Sequence, residues 1–205
     1  MISYIIIVIT TVLSVLAFRN KLIFDGLKFN AYFIKNSNEW YRFFSYGLIH
    51  ADWMHLIINM MVMYSFGSIV EKYFSYYLDS KSIYFFAFFY VSALAISVLF
   101  SYKKHNNEIF YNAVGASGAV SAIVFSSIIL HPQGRIMLMF LPIPIPSPIF
   151  GILYLVFSYI MAKKSTSNIG HDAHFWGAIY GIVYTLVAIP NSYKEFLKTI
   201  YSYFN

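Results

Sequence analysis

Six intervals of this chain contain no Asp, Glu, Lys or Arg: residues 1–18, 53–70, 82–102, 109–134, 136–162 and 173–193. A helix that crosses a bilayer needs about 20 mostly apolar residues, with a range of roughly 17–25. Every interval reaches that length. Hydrophobic residues make up 60% of the 205, and charged residues only 11%. A soluble domain carries about 25% charged residues, so this chain cannot cover a water-facing surface. The expectation is a single domain over 1–205, an all-α polytopic membrane protein with six spans near 2–18, 53–70, 82–102, 112–131, 148–162 and 173–190.

The breaks are as informative as the runs. Pro132, Pro142, Pro144, Pro146 and Pro148 interrupt the fourth and fifth intervals. Each proline removes a backbone donor, so Leu141-Pro142-Ile143-Pro144-Ile145-Pro146 reads as an extended connector, with helix four ending near His131 and helix five starting near Pro148. Helix one lacks a basic region before it and a small-residue cleavage pattern after it, so it reads as a retained span. Residues 19–52 form a long aromatic-rich connector, which in a compact membrane protein is structured or functional. Residues 191–205 read as an amphipathic surface tail. The 40 Phe and Tyr residues suit interfacial belts. A net charge of +6 with scattered basic residues suits anionic headgroups, not nucleic acid. With no cysteine there is no disulfide framework and no thiolate metal site.

Polar residues inside these apolar runs carry the chemistry, because groups at that depth are costly. Ser117 lies in Gly115-Ala116-Ser117-Gly118, and His174 opens His174-Phe175-Trp176-Gly177-Ala178-Ile179-Tyr180-Gly181. In a six-span chain, helices two, four and six enter from the same side. Ser117 lies a few residues into helix four and His174 near the start of helix six. His55 and Asn59 lie near the start of helix two, spaced i, i+4 on one face. All four therefore sit at similar shallow depth below one membrane face.

A serine hydroxyl needs a base within hydrogen-bond reach, and neutral imidazole serves. The tetrahedral oxyanion needs donors fixed in advance. The Ser117 N–H, His55 and the Asn59 amide are candidates, since the first turn of a helix leaves N–H groups free. Gly118 and Ala122 share one face of helix four, and Gly177 and Gly181 one face of helix six. Small-xxx-small faces let helices approach closely. Ala119 excludes the G-x-S-x-G hydrolase elbow. Each residue alone has a plainer reading. A membrane serine is usually bonded back to a carbonyl, and His55 with Asn59 could be an interhelical contact worth roughly 0.6 kcal/mol. His50 reads as structural, and His105 and His131 as surface residues. Asp172, two residues from His174, points elsewhere on a helix and makes no triad.

These pieces together resemble the rhomboid intramembrane serine proteases, from about Glu39 to Tyr184. The matching residues are Trp40-Tyr41-Arg42-Phe43-Phe44, His50-x4-His55-x3-Asn59, Gly67 with Glu71, Gly115-Ala116-Ser117-Gly118, and Ala173-His174-x2-Gly177-x3-Gly181. The resemblance implies a six-helix rhomboid-like bundle and a Ser117–His174 dyad acting as nucleophile and general base. It also implies an oxyanion hole lined by His55 and Asn59, structural support from Arg42, Gly115, Gly118, Gly177 and Gly181, and no metal or cofactor. It implies single-span membrane proteins as substrates, the lipid bilayer as surroundings and a bacterial plasma membrane as location. Two departures stand. Tyr41 separates Trp40 from Arg42. Ser121 occupies the position one turn after the serine, where many members carry an aromatic that packs on the histidine. Either another aromatic packs there, or the imidazole is held more loosely.

A non-proteolytic rhomboid-like chaperone or quality-control adaptor is the alternative, disfavoured because such relatives typically lose the Ser or the His. A transporter or channel is disfavoured by the lack of inverted repeats and of mid-span charges. The family orientation puts the N-terminus in the cytoplasm and nine of the 14 Lys and Arg residues on the site's face. The positive-inside rule prefers the reverse, but five of those nine lie in the first connector, which the resemblance makes folded and partly embedded.

Overall fold

A computed structural model describes residues 1–138, 141–164 and 170–202. Helix α1 (Ile2–Arg19) turns the soluble pattern inside out: Ser3, Thr10 and Ser14 are buried, while Ile5, Val8 and Val12 face outward. Small polar residues at a helix contact with bulky apolar ones outside is the membrane arrangement. Its start is fixed by Glu71, whose carboxylate accepts from the N–H groups of Ile2 and Ser3 and from the Ser3 hydroxyl.

The first connector is folded. Asn20 caps α2 (Lys21–Leu27) and Asn30 caps α3 (Ala31–Ser37) through side-chain oxygens. Asn30 also donates to the Ile109 and Tyr111 carbonyls, and Phe29 pairs with Ala113. The connector is thereby tied to the loop that precedes residue 117. Arg42 begins the short α4 (Arg42–Ser45) and is buried. Its guanidinium donates to Glu39 (2.5 Å) and to the carbonyls of Lys28 (2.7 Å) and Asp25 (3.0 Å). One side chain thus ties three points of the connector together.

Asp52 caps α5 (Trp53–Leu78), accepting from the His55 N–H at 2.8 Å. A one-turn 3₁₀ segment leads to α6 (Ser82–Ser97) and α7 (Leu99–His105). Helix α8 (Ser117–Leu130) is the hub, buried from Gly118 to Leu130 and packed against α5, α6, α9 and α10. Then follow β1 (Arg135–Leu138), β2 (Leu141–Pro146), α9 (Ser147–Lys164), α10 (His171–Ala188) and the amphipathic α11 (Ser192–Ser202).

Two readings change. The connector is extended, but it is the second strand of an antiparallel hairpin, Arg135 opposite Pro146. The chain is therefore mostly helical, not all-α; alternate prolines bar a helix but are tolerated at strand edges. Helix four starts at Ser117, not near 112, because Gly115 at φ 108° cannot continue a right-handed helix. Among the described residues, two stretches are long and apolar enough to cross a membrane, Ile2–Arg19 and Trp53–His105, or three if α10 and α11, bent by 118°, are one. At 14 residues α8 falls short of the roughly 20 a crossing needs. Protein surrounds it, and that is where irregular backbone at membrane depth is tolerated.

Candidate functional site

The turn before α8 sets the site. Gly115 donates its N–H to the Tyr46 carbonyl at 2.9 Å, and its positive φ suits glycine. Its flat side takes the His55 ring: a Cβ at Gly115 would overlap the imidazole. The Ala116 N–H donates to His50 Nε2 at 3.4 Å. Nδ1 of His50 therefore carries the proton and donates to Ser14 Oγ at 3.1 Å, and Ser14 can donate on to the Leu48 carbonyl at 3.2 Å. Burial pushes the His50 imidazole down to about 3, so it is neutral at ordinary pH.

Ser117 is the first residue of α8 rather than a few residues into it, so its N–H has no intrahelical acceptor. His174 is in the first turn of α10, and its Nε2 lies 2.7 Å from Ser117 Oγ. The close approach is steric. A Cβ at Gly177 would overlap the Gly118 carbonyl oxygen, and one at Gly181 the Ala122 carbonyl oxygen. Gly118 in turn faces Ser97, whose Oγ would lie 2.5 Å from an added Cβ. The two backbones meet along this small-residue face.

The remaining sequence candidates divide. His55 packs edge-on against His50, with ring centroids 4.9 Å apart, and lies over Gly115. Asn59 is buried, but its amide donates to the His55 carbonyl of its own helix at 2.9 Å, not to Ser117. The Asp172 carboxylate accepts from Ser101 Oγ and from the Ala173 N–H. Among the described residues no carboxylate bonds His174, so the serine and histidine form a pair without a third member.

Two side chains make contacts at the site that the sequence does not assign, although His50 stands within the His50-x4-His55 match. His50 meets the residue before the serine, where it had been read only as structural. Tyr154 of α9 lies alongside His174, with centroids 6.5 Å apart and planes 29° apart, and its hydroxyl is 2.6 Å from Ser121 Oγ. An i, i+4 or loop motif could not reveal either contact, since both join distant segments.

The rhomboid domain family matches residues 37–191, about three quarters of the chain. RHOMBOID-like protein 12, mitochondrial, from Arabidopsis thaliana is 28% identical over 139 residues, which cover 63% of this chain and 40% of that protein. The chain thus spans about two fifths of the relative's length.

Proposed function

The chain belongs to the rhomboid family, and we propose that it is an intramembrane serine endopeptidase that cleaves the transmembrane segments of single-span membrane proteins. The observation that carries this reading is the 2.7 Å contact between Ser117 Oγ and His174 Nε2. Ser117 attacks the scissile carbonyl, and His174 takes the hydroxyl proton as the tetrahedral intermediate forms. The Ser117 N–H at the start of α8, with His55 and Asn59 from α5, stabilises the oxyanion. His174 returns the proton to the leaving amine, giving an acyl-enzyme on Ser117. Water, deprotonated by His174, then attacks the acyl carbonyl; the bond to Ser117 Oγ breaks, His174 returns the proton to that oxygen, and the acid leaves. Arg42 and the four glycines hold the parts in place.

With it goes a six-span arrangement in which α1, α5, α6 with α7, α9 and α10 each cross once and α8 makes the fourth span together with the turn before it, with the N-terminus cytoplasmic and the site open to the opposite face. Membrane residence follows from the family and the apolar helices. The relative is by its name mitochondrial, so the comparison lends no support to the bacterial plasma membrane that the resemblance implied.

The test is labelling of purified protein by a serine-reactive phosphonate, alongside cleavage of a transmembrane reporter. Wild type is expected to label at Ser117 and to cleave. Ser117→Ala and His174→Ala each abolish cleavage while remaining folded, and the double variant is no worse than either, since residues acting as a unit are non-additive. Near-wild-type cleavage by Ser117→Ala refutes the assignment. A folded wild type that neither labels nor cleaves points to the adaptor reading.

A further inference from the structure

Ser121 sits one helical turn after Ser117, on the same face of α8. A serine side chain is too short to pack across the His174 ring. The space is filled from another helix. Tyr154 of α9 lays its ring alongside His174, at 6.5 Å between centroids, and its hydroxyl meets Ser121 Oγ at 2.6 Å. Phe125 of α8 and Phe150 of α9 flank the tyrosine at 5.5 Å and 5.8 Å. Its tip is therefore bonded to the helix of the nucleophile, and its ring lies beside the base.

We propose that Tyr154 is a positioning residue for His174, with Ser121 as the anchor that fixes where its ring sits. The inference rests on the reading of Ser117 and His174 as a catalytic pair. A general base works only while its nitrogen stays within hydrogen-bond reach of the proton it takes. Among the described residues no carboxylate orients His174, so its ring is held by its flanks. Those flanks include Ser117, the Tyr154 ring, and His171, which lies edge-on at 6.0 Å. Plain core filling would not need a hydroxyl at both 121 and 154. A serine here could bond back to its own helix, yet its hydroxyl meets the tyrosine. Because Tyr154 belongs to α9, the bond to α8 and the packing on α10 are made or lost together. The seating of α9 thus sets whether the imidazole is aligned.

The test uses the full chain in detergent, measuring kcat and KM on a transmembrane reporter and the rate of phosphonate labelling at Ser117. Tyr154→Leu removes both ring and hydroxyl. It lowers kcat about tenfold or more, the labelling rate falls in parallel, and KM stays within about twofold, as expected when a base is misaligned and binding is not. Tyr154→Phe keeps the ring and loses the bond, and Ser121→Ala loses the same bond from the other side. Each lowers kcat by about threefold, and the double variant is no worse than either, since one interaction is removed twice. If Tyr154→Leu fails to fold, this cycle still decides. Wild-type kcat in Tyr154→Leu, or additive losses in the cycle, overturns the inference alone. Equal rates in wild type and Ser117→Ala overturn the protease reading and this inference with it.

Discussion

The backbone N–H of Ala116 points at Nε2 of His50, so a residue 66 positions upstream holds the peptide that leads into Ser117. His50 has no solvent exposure, and its other nitrogen is bonded to Ser14 of α1. It joins the first helix, the first connector and the turn before α8.

His50→Phe keeps much of the volume and removes both bonds. A buried donor left unpaired costs about 1–3 kcal/mol, so the melting temperature in detergent should fall and Ser117 labelling should slow. The neutral ring also makes a pH prediction. Its folded value is depressed to about 3 from an ordinary 6.5, so the unfolded chain binds the proton more readily. Wild-type stability should hold above about pH 6.5 and decline as pH falls from there toward 3, and His50→Phe should flatten that decline. An unchanged pH profile of melting in the variant would remove His50 from this role.

Helix contact is tested at Gly181. An added Cβ meets the Ala122 carbonyl, which is backbone and cannot swing aside. Gly181→Val should therefore push α10 from α8 and cost about 1–3 kcal/mol, as overpacking does. Loss of activity at an unchanged melting temperature would show instead that Gly181 contacts substrate.

The oxyanion residues should separate from the pair. His55→Ala and Asn59→Ala lower kcat but leave Ser117 partly reactive toward phosphonate. Losing one such donor costs about 10²–10³ in rate elsewhere, and less here, because the Ser117 N–H remains. The amide of Asn59 already serves the His55 carbonyl, so Asn59→Ala should be the milder of the two. A double variant with wild-type kcat would end the oxyanion assignment.

Substrate choice follows from backbone chemistry. A peptide bond inside a helix is shielded, so the segment must unwind before Ser117 can reach it. In hydrocarbon each unsatisfied backbone group costs several kcal/mol, so unwinding is easiest where Gly or Pro already weakens the helix. Replacing every Gly, Pro and Ser in a cleaved span with Leu should slow cleavage sharply. An undiminished rate would show that helix weakness is not what the proposed protease reads.

Charge-free intervals coincide with α1, α5, α6, α8, α9 and α10, because long apolar helices carry few charges, but not with the short helices of the first connector. Ends were less legible. The start of α8 depends on the positive φ of Gly115 and on His50 and Tyr46 bonding the turn, none of which is a local pattern. The prolines of 142–146 excluded a helix, but pairing with Arg135–Leu138 needed a partner strand that composition does not announce. In the site, Ser117, His174 and the glycines stood out because polar or small residues are conspicuous in apolar runs. Tyr154 did not, since one tyrosine among 19 carries no mark of which ring it will face.

The length of α8 acts as a ruler. Fourteen residues rise about 21 Å, against a hydrocarbon core of about 30 Å. In the proposed six-span arrangement, with α8 along the membrane normal and Leu130 at one boundary, Ser117 would lie about 9 Å inside the other, a depth of roughly six helical residues. The non-helical turn above it bonds its N–H groups to Phe29 and Tyr46 rather than to lipid. On the proposed reading, a substrate would then be cut by counting from the membrane surface.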